Sequence, residues 1–311
     1  MINRFDSIYT SINNSNLILS RLKFYSFLRF SVRSFVNIIM PIYFRLNPTD
    51  KKLESKDDNK VIVSITTFPN RINKIWLVVE CLLRQTRMPN NIILWLSKEQ
   101  FVRGELDLPI KLLKYKKNGV EFRFVDEDLR SHKKYYYAFK EFPKDIIITV
   151  DDDLFYTDFL IESLLNLHEI FPNSICCHRG FVVNKDNNTI LPYKRWQIAR
   201  DFVNPTSDLF QTSGGGTLYK LEMLHPEVLN KEVFLNICLA ADDVWLNFMA
   251  QMGGTKTVKS NYFSNYIPIL NFNNINLSSY NVLGGGNDLQ IRNLINYYNL
   301  NENELFNKNI I

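Results

Sequence analysis

Three consecutive aspartates, Asp151, Asp152 and Asp153, follow directly after the apolar residues 146–150. Adjacent carboxylates repel one another and resist losing their water, so this pattern requires an opposing cation or a turn rich in hydrogen-bond donors. Carboxylate oxygens suit hard divalent cations such as Mg²⁺ and Mn²⁺, which keep several waters and bridge to phosphate oxygens. Because alternate residues can turn toward one ion where a chain leaves a strand, we predict Asp151 and Asp153 as its ligands. The alternative is a solvated acidic turn.

Two further aspartates, Asp242 and Asp243, stand near the start of the segment LAADDVWLNF. On a helix, the apolar residues Val244, Trp245 and Phe248 share one side, Asp243 points almost opposite, and Asp242 lies at the edge. The helix dipole favours carboxylates in the first turn. A carboxylate there that faces a cleft can serve as a general base. The alternative is a simple N-terminal cap on an exposed face.

Two other segments contain residues that suit ligand binding. Gly214, Gly215 and Gly216 leave no side chain between the backbone and an approaching molecule, so they allow a sugar ring to lie against the chain or form a tight bulge. Lys133 and Lys134 precede the strand that leads into the aspartates and are able to meet a phosphate. The alternative for the lysines is a solvated helix face.

The elements that must position these residues alternate along the chain. Strand patterns at residues 61–67, 92–96, 120–125 and 145–150 are separated by helical patterns at 72–83, 108–119 and 133–142. This order predicts an α/β fold with a mostly parallel sheet and helices on both faces. Ligands bind such sheets at the carboxyl ends of the strands, which is where the three aspartates lie.

The second half of the chain is less regular. We predict a helix over 157–171 with Thr157 as its cap, a hairpin around the turn at 184–188, and a strand broken by the three glycines. A helix that begins near Asp242 is expected to end at Gly253, and a last helix spans 287–298.

Composition limits the class of protein. Hydrophobic residues make up 46% of the 311, which supports a sizeable core and excludes global disorder. The four cysteines have no metal-site spacing, so we expect reduced thiols in a cytosolic protein. They are Cys81, Cys176, Cys177 and Cys238.

The N-terminal arm carries most of the net charge. Residues 1–50 contain six basic and two acidic residues, hence +4 of the net +5, and this placement argues against a nucleic-acid partner. An apolar helical stripe runs along the arm, but its longest apolar stretch is about half of the ~20 residues that a membrane span needs, and Pro41 interrupts it. We expect residues 17–43 either to lie on an anionic membrane surface or to dock on the body of the protein. The stripe comprises Leu22, Tyr25, Leu28, Val32, Phe35, Val36 and Ile39.

These patterns divide the chain into four parts. We predict an arm over 1–48, a charged linker over 49–60, a main domain over 61–270 and a C-terminal helical tail over 271–311.

Four motifs in this order resemble the GT-A fold glycosyltransferases, in particular the family-2-like enzymes of bacterial surface polysaccharide synthesis. VIVSITTFPNRI resembles their opening strand and its turn, IIITVDDDLFY their strand and DxD motif, and SGGGTLY their glycine segment. ADDVWL is similar to their ED-x-x-L motif, with Asp243 at the position of the catalytic base. The resemblance covers about residues 61–254. The chain departs from the pattern where the second strand ends in WLS instead of an acidic residue, and where Pro192 replaces the glutamine of processive enzymes.

The resemblance implies a GT-A, Rossmann-like fold and a non-processive, inverting transfer of sugar from a nucleotide-sugar, expected to be a UDP-sugar, to a glycan or lipid-linked acceptor. It implies Mn²⁺ or Mg²⁺ as cofactor. The cysteines predict a cytoplasmic location, at the inner face of the cell membrane if the arm binds lipid. Catalysis is assigned to Asp243 with Asp242, donor binding to Thr66, Thr67, Arg71, Lys133, Lys134, Asp151 and Asp152, and sugar or acceptor binding to Gly214, Gly215, Gly216 and Trp245.

Two alternatives remain from the residues alone. A metal-dependent phosphoesterase or nucleotidyltransferase also uses clustered aspartates. A non-catalytic carbohydrate-binding protein would need no general base.

Overall fold

The computed structural model describes residues 1–12, 23–54, 60–271, 281–282 and 284–307. Its strands are β1 (Val61–Thr66), β2 (Asn91–Ser97), β3 (Val120–Val125), β4 (Ile146–Thr149), β5 (Leu154–Phe155), β6 (Ile175–Cys177), β7 (Gly180–Val182), β8 (Lys185–Asp186), β9 (Thr189–Ile190), β10 (Gln197–Ile198), β11 (Val203–Thr206), β12 (Leu209–Gln211), β13 (Thr217–Tyr219), β14 (Thr257–Lys259) and β15 (Ile267–Pro268). Its helices are α1 (Ile2–Ser11), α2 (Phe24–Leu46), α3 (Trp76–Leu82), α4 (Ile110–Leu113), α5 (Lys133–Glu141), α6 (Leu160–Ile170), α7 (Lys231–Ile237), α8 (Asp242–Met252) and α9 (Gly286–Tyr297).

An eight-stranded sheet organises the chain, in the order β11-β14-β6-β13-β4-β1-β2-β3. β4, β1, β2 and β3 are parallel, and the antiparallel β13 joins β4 to β6. Successive strand residues face opposite sides of the sheet, so Ile62 and Val63 enter different cores. α3 and α6 cover one face and α5, α7, α8 and α9 the other. The predicted α/β architecture with a large, mostly parallel sheet is confirmed.

Several predicted boundaries differ from the observed ones. The helix predicted over 72–83 begins only at Trp76, because the preceding residues form turns. The helix predicted over 108–119 is the short α4 followed by a 3₁₀ segment, which ends at Gly119 with φ +90°. Thr157 does not cap α6: its carbonyl accepts a hydrogen bond from Gln85, and the helix begins after Phe159.

The predicted hairpin is smaller than expected. β8 and β9 flank only Asn187 and Asn188, whose positive φ angles of 45° and 68° suit a two-residue turn. The residues that precede it form β7, which pairs with β12 and β10 instead. The helix that begins at Asp242 ends at Met252 with Gly253 as its C-cap, as predicted, whereas the last helix lies one residue earlier than predicted.

The described part of the N-terminal arm docks on the body. Val36, Met40 and Phe44 of α2 are buried. Asn37 Nδ2 donates to the carbonyl of Pro268 at 2.9 Å, and the Leu270 amide donates to Asn37 Oδ1 at 2.8 Å. Docking, one of the two expectations for the arm, is therefore observed.

α2 also runs without a break through Pro41 for 23 residues, so the expectation of an interruption there is wrong. By length and composition it is the one helix among the described residues that is able to cross a membrane, with 17% of its most apolar window buried. Leu22 and residues 17–22 of the expected membrane contact lie outside the described residues.

The described part of the linker also contacts the body. The Leu53 amide donates to the Asn118 carbonyl at 2.9 Å, and Asn118 Nδ2 donates to the carbonyl of Lys51 at 2.8 Å. Residues 55–59 of the linker and 272–280, 283 and 308–311 of the tail lie outside the described residues.

Candidate active site

A cavity of about 590 Å³ opens at the carboxyl ends of β1 and β4, at the position that the topology predicts for a ligand. This volume is typical of small-molecule sites. Most of the residues predicted from the sequence line it: Thr66, Thr67, Arg71, Lys133, Lys134, Asp151, Asp152, Asp153, Gly214, Asp242 and Asp243.

Arg71 supplies the first cation that opposes the aspartates. Its Nη1 lies 2.5 Å from Asp152 Oδ1 and 2.9 Å from Asp153 Oδ2. Thr67 Oγ1 donates to the other oxygen of Asp152 at 2.6 Å. Both oxygens of the buried Asp152 are therefore engaged within the protein. This carboxylate positions Arg71 and Thr67 and has no oxygen left for direct contact with a nucleotide-sugar.

Lys134 supplies the second cation. Its Nζ lies 2.8 Å from Asp151 Oδ1 and 2.9 Å from Asp242 Oδ2, although the lysine is only 4% exposed. Burial alone would lower the pKa of Lys134, but Asp151, Asp242 and Asp243 raise this pKa well above its ordinary value. The ammonium group therefore stays charged and links the end of β4 to the start of α8.

Lys133 is engaged in a different ion pair. Its Nζ contacts Asp128 Oδ1, and the lysine is 2% exposed while still bordering the cavity. Burial lowers the pKa of Lys133, which Asp128 only partly offsets. A phosphate that approached Lys133 would have to share it with Asp128.

Asp243 faces the cavity from the first turn of α8, as the helix phase predicts. Its Oδ1 accepts hydrogen bonds from the Ser213 amide at 2.9 Å and from the Ser213 hydroxyl at 2.7 Å. Burial, with the neighbouring charge of Asp242, raises the pKa of Asp243 to about 7. A carboxylate with that pKa is suited to accept a proton near neutral pH.

The pKa of Asp242 is shifted in the opposite direction from that of Asp243. Burial opposes its ionisation most strongly, but Lys134 and His132 outweigh this effect and hold the pKa of Asp242 below its ordinary value. Two adjacent carboxylates thus have pKa values that are pushed apart, a pattern that separates a proton acceptor from a fixed charge. Asp242 anchors Lys134, and Asp243 is the group that is able to exchange a proton.

The three glycines serve different purposes. A Cβ on Gly214 would lie 3.0 Å from Asp151 Oδ2, so its absence keeps the cavity open beside that carboxylate. A Cβ on Gly215 would lie 2.4 Å from Arg179 Cβ, and one on Gly216 would lie 2.9 Å from Leu160 Cδ1. Gly215 and Gly216 therefore permit close packing and do not line the cavity, which corrects their predicted contact with a sugar.

Trp245 does not lie at the site. It is fully buried under the sheet, and its Nε1 donates to the carbonyl of Val228 at 3.1 Å. Its position on the packed side of α8 turns it away from the cavity that Asp243 faces, so the prediction that Trp245 contacts a sugar is wrong.

The sequence reasoning missed one wall of the cavity. Arg179, which follows β6, lies beside Phe181 at 5.8 Å from guanidinium carbon to ring centre, and forms no ion pair with any described residue. The sequence gives only a weak signal for this wall: Tyr193 follows Pro192, the residue at which the chain departs from the motif of processive enzymes. This wall comprises Arg179, Phe181, Tyr193 and Phe210, and Asn281 and Asn287 of the tail also border the cavity.

The residues at the strand end fit a divalent cation. Within the described ranges, Asp151 Oδ2 and Asp153 Oδ1 accept no hydrogen bond, and both residues border the cavity. Burial and the neighbouring aspartates raise the pKa of Asp153 despite Arg71, so added positive charge there would be favourable. No three His, Cys, Asp or Glu side chains converge into a ready-made centre in the described part of the chain. Two carboxylates suffice for Mg²⁺ that also binds waters and a substrate phosphate.

Comparison with known proteins assigns no function to the chain, so the functional proposal rests on the geometry of the cavity. No family model matches the chain, and no curated protein is significantly similar to it.

Proposed function

We propose that this protein is a GT-A fold glycosyltransferase that transfers a sugar from a nucleotide-sugar to the hydroxyl of a glycan or lipid-linked acceptor. The observation that carries the proposal is that one cavity brings together the strand-end aspartates and Asp243, whose pKa is raised to about 7. Lys134 connects them through Asp151 and Asp242.

The donor half would bind the diphosphate. Asp151 and Asp153 would hold Mn²⁺ or Mg²⁺, which when bound neutralises charge on the leaving diphosphate. Arg71 stands beside both aspartates as a further cation, and Thr67 fixes it indirectly through Asp152. A UDP-sugar is the expected donor.

Asp243 would act as the general base. The acceptor oxygen forms a bond to the anomeric carbon while the bond from that carbon to the diphosphate oxygen breaks, and Asp243 takes the hydroxyl proton. The two hydrogen bonds from Ser213 hold one carboxylate oxygen in place, which leaves the other for the proton. A single displacement of this kind inverts the anomeric centre, by the same logic as in inverting hydrolases.

The acceptor half adjoins the aromatic wall. Phe181 and Tyr193, which are only partly buried, offer ring faces of the kind that pack against sugars, and Arg179 adds a positive charge that forms no ion pair with a described residue. A cation there favours an acceptor that carries a phosphate, as lipid-linked acceptors do. The cysteines are free and buried, which supports a cytoplasmic location.

An assay of nucleotide release would test the proposal. The protein is incubated with Mn²⁺ and a panel of nucleotide-sugars, with and without acceptor extracts, and free nucleotide and sugar products are measured. Nucleoside diphosphate release that depends on one sugar donor and is accelerated by acceptor is expected. Inorganic phosphate or a new nucleotide-sugar as product would indicate the phosphoesterase or nucleotidyltransferase instead. Binding without turnover would indicate a carbohydrate-binding protein.

A further inference from the structure

The face of α2 that points away from the body is apolar. Val36, Met40 and Phe44 recur every fourth residue and are buried, and a second apolar stripe occupies the opposite side of the same helix. Its residues are 41–75% exposed, so the arm presents a continuous row of large apolar side chains to solvent. This exposed face comprises Phe24, Phe27, Phe30, Phe35, Ile38, Ile42 and Leu46.

The charges around the exposed face are positive. α2 contains three arginines and no acidic residue. Near its C-terminal end, Arg45 lies 6.0 Å and Lys111 Nζ 2.7 Å from the ring centre of Trp76. Lys74 and Lys114 are close enough to act on Lys111, whose pKa is lowered to about 8 by burial and by these neighbours together with Arg45. None of these four cations forms an ion pair with a described residue.

The basic cluster (Arg45, Lys74, Lys111 and Lys114) lies at the C-terminal end of α2, where Arg45 is itself exposed next to Leu46 of the exposed face. Trp76, which both Arg45 and Lys111 contact, packs against Phe44 of α2 at 6.4 Å between ring centres. Ile110, beside Lys111, is 78% exposed and adds apolar surface next to the cluster. Repulsion among the exposed cations Arg45, Lys74 and Lys114 would be relieved by an anionic surface.

We propose that the exposed face of α2 lies in the surface of an anionic lipid bilayer, with the exposed cations Arg45, Lys74 and Lys114 on the lipid headgroups. Apolar side chains would enter the boundary between headgroups and acyl chains, which is the mode of an interfacial helix. Basic residues near an anionic leaflet each add to the attraction. α2 does not need to span the bilayer, since a span would strip Asn37 and its buried neighbours from the body.

The docked helix is connected to the candidate active site. Leu270 is hydrogen-bonded to Asn37 of α2, and the next residue, Asn271, donates to the Asn70 carbonyl at 2.6 Å. Asn70 precedes Arg71, which holds the strand-end aspartates. Membrane binding would therefore place the cavity near a lipid surface, although the inference itself does not depend on sugar transfer.

Vesicle co-sedimentation of the full chain would test the proposal. We expect binding to vesicles of phosphatidylcholine with phosphatidylglycerol, weakened by high salt, and little binding to phosphatidylcholine alone. The triple variant Phe27→Ser, Phe30→Ser, Ile38→Ser should lose about tenfold or more in affinity. The double variant Lys74→Gln, Lys114→Gln, which removes two exposed lysines, should lose about fivefold per lysine, and only on anionic vesicles.

A matched control uses exposed apolar residues elsewhere. The control is the triple variant Ile170→Ser, Phe202→Ser, Leu289→Ser. It removes apolar side chains outside α2 that are 41–68% exposed, and it should bind vesicles like wild type. Circular dichroism melts should confirm that all variants fold. Equal binding of the α2 triple variant and wild type would overturn the proposal. If alkaline carbonate fails to release the wild-type protein from vesicles, α2 spans the bilayer and the proposal is wrong. The proposal is also wrong if wild type does not bind vesicles but is a dimer and the α2 triple variant is a monomer, because the exposed face would then be a protein interface.

Discussion

Replacing the proposed base is the sharpest perturbation of the site. Asp243→Asn keeps the size of the side chain and an oxygen that can still accept both hydrogen bonds from Ser213. The variant is therefore expected to fold like wild type. It loses only the ability to take a proton, a loss that typically costs about 10²–10⁴-fold in rate. This corresponds to about 3–5 kcal/mol of transition-state stabilisation.

The pH dependence adds a second, independent signature. A base must be deprotonated, and the pKa of Asp243 is raised to about 7. Wild-type kcat/KM should therefore be level above pH 7 and fall about tenfold per pH unit below it. Asp243→Asn should lack this inflection. Ser213→Ala removes a donor that favours the charged carboxylate, so its inflection should move to higher pH.

Nucleotide release with acceptor present measures turnover, and calorimetry measures donor affinity. Turnover of Asp243→Asn should collapse while the donor dissociation constant stays within about twofold, because the proposed ligands of the metal and diphosphate are Asp151 and Asp153 and not Asp243. Asp126→Asn, which removes an exposed carboxylate paired with Lys98, is the control and should match wild type. Full activity of Asp243→Asn, or an unchanged pH profile, would refute the role of this residue.

Other perturbations separate structural from functional residues. Lys134→Met leaves Asp242 buried without its cation and should lower the free energy of unfolding at pH 7 by about 3–5 kcal/mol in urea titrations. The pKa of Asp242 is lowered on folding, so ionised Asp242 stabilises the wild-type fold above its unfolded pKa, and this contribution is lost as pH falls. The difference in unfolding free energy between wild type and Lys134→Met should therefore shrink in acid. An equal difference at all pH values would contradict this. Gly215→Ala forces a Cβ against Arg179 and should destabilise by about 1–3 kcal/mol in the same titration; a neutral effect would show that the loop relaxes. Trp245→Phe should reduce stability by about 1–3 kcal/mol and leave KM unchanged, whereas a raised KM at wild-type stability would restore its predicted ligand contact.

Local sequence patterns predicted most of the fold. The strands β1 to β4 were predictable because their apolar runs are short and bounded by turn residues, and β2 is buried along almost its whole length. Asp243 was placed on the correct face of α8 because helical periodicity fixes which side packs. The position of the strand-end aspartates was also predictable, because the local sequence determines where β4 ends.

Contacts between distant segments were not predictable. Arg71 meets Asp152 across 81 positions, and nothing local marks it as the cation that opposes the aspartates. Asn37 fixes the arm to Pro268 across 231 positions, so periodicity alone left docking and membrane contact open. Trp245 was assigned to a ligand from a motif although its helix phase already placed it on the packed side.

Titration of uridine diphosphate by calorimetry would examine whether the cavity is a metal-dependent nucleotide site. Wild type and the control Asp126→Asn should bind more tightly with Mn²⁺ than after its removal by chelator, because the cation joins the carboxylates to the diphosphate. Asp153→Asn should show no such gain, since it lacks one of the two strand-end carboxylates that keep an oxygen without a hydrogen bond to any described residue. Affinity that is the same with and without Mn²⁺ in all three proteins would contradict the proposed donor site.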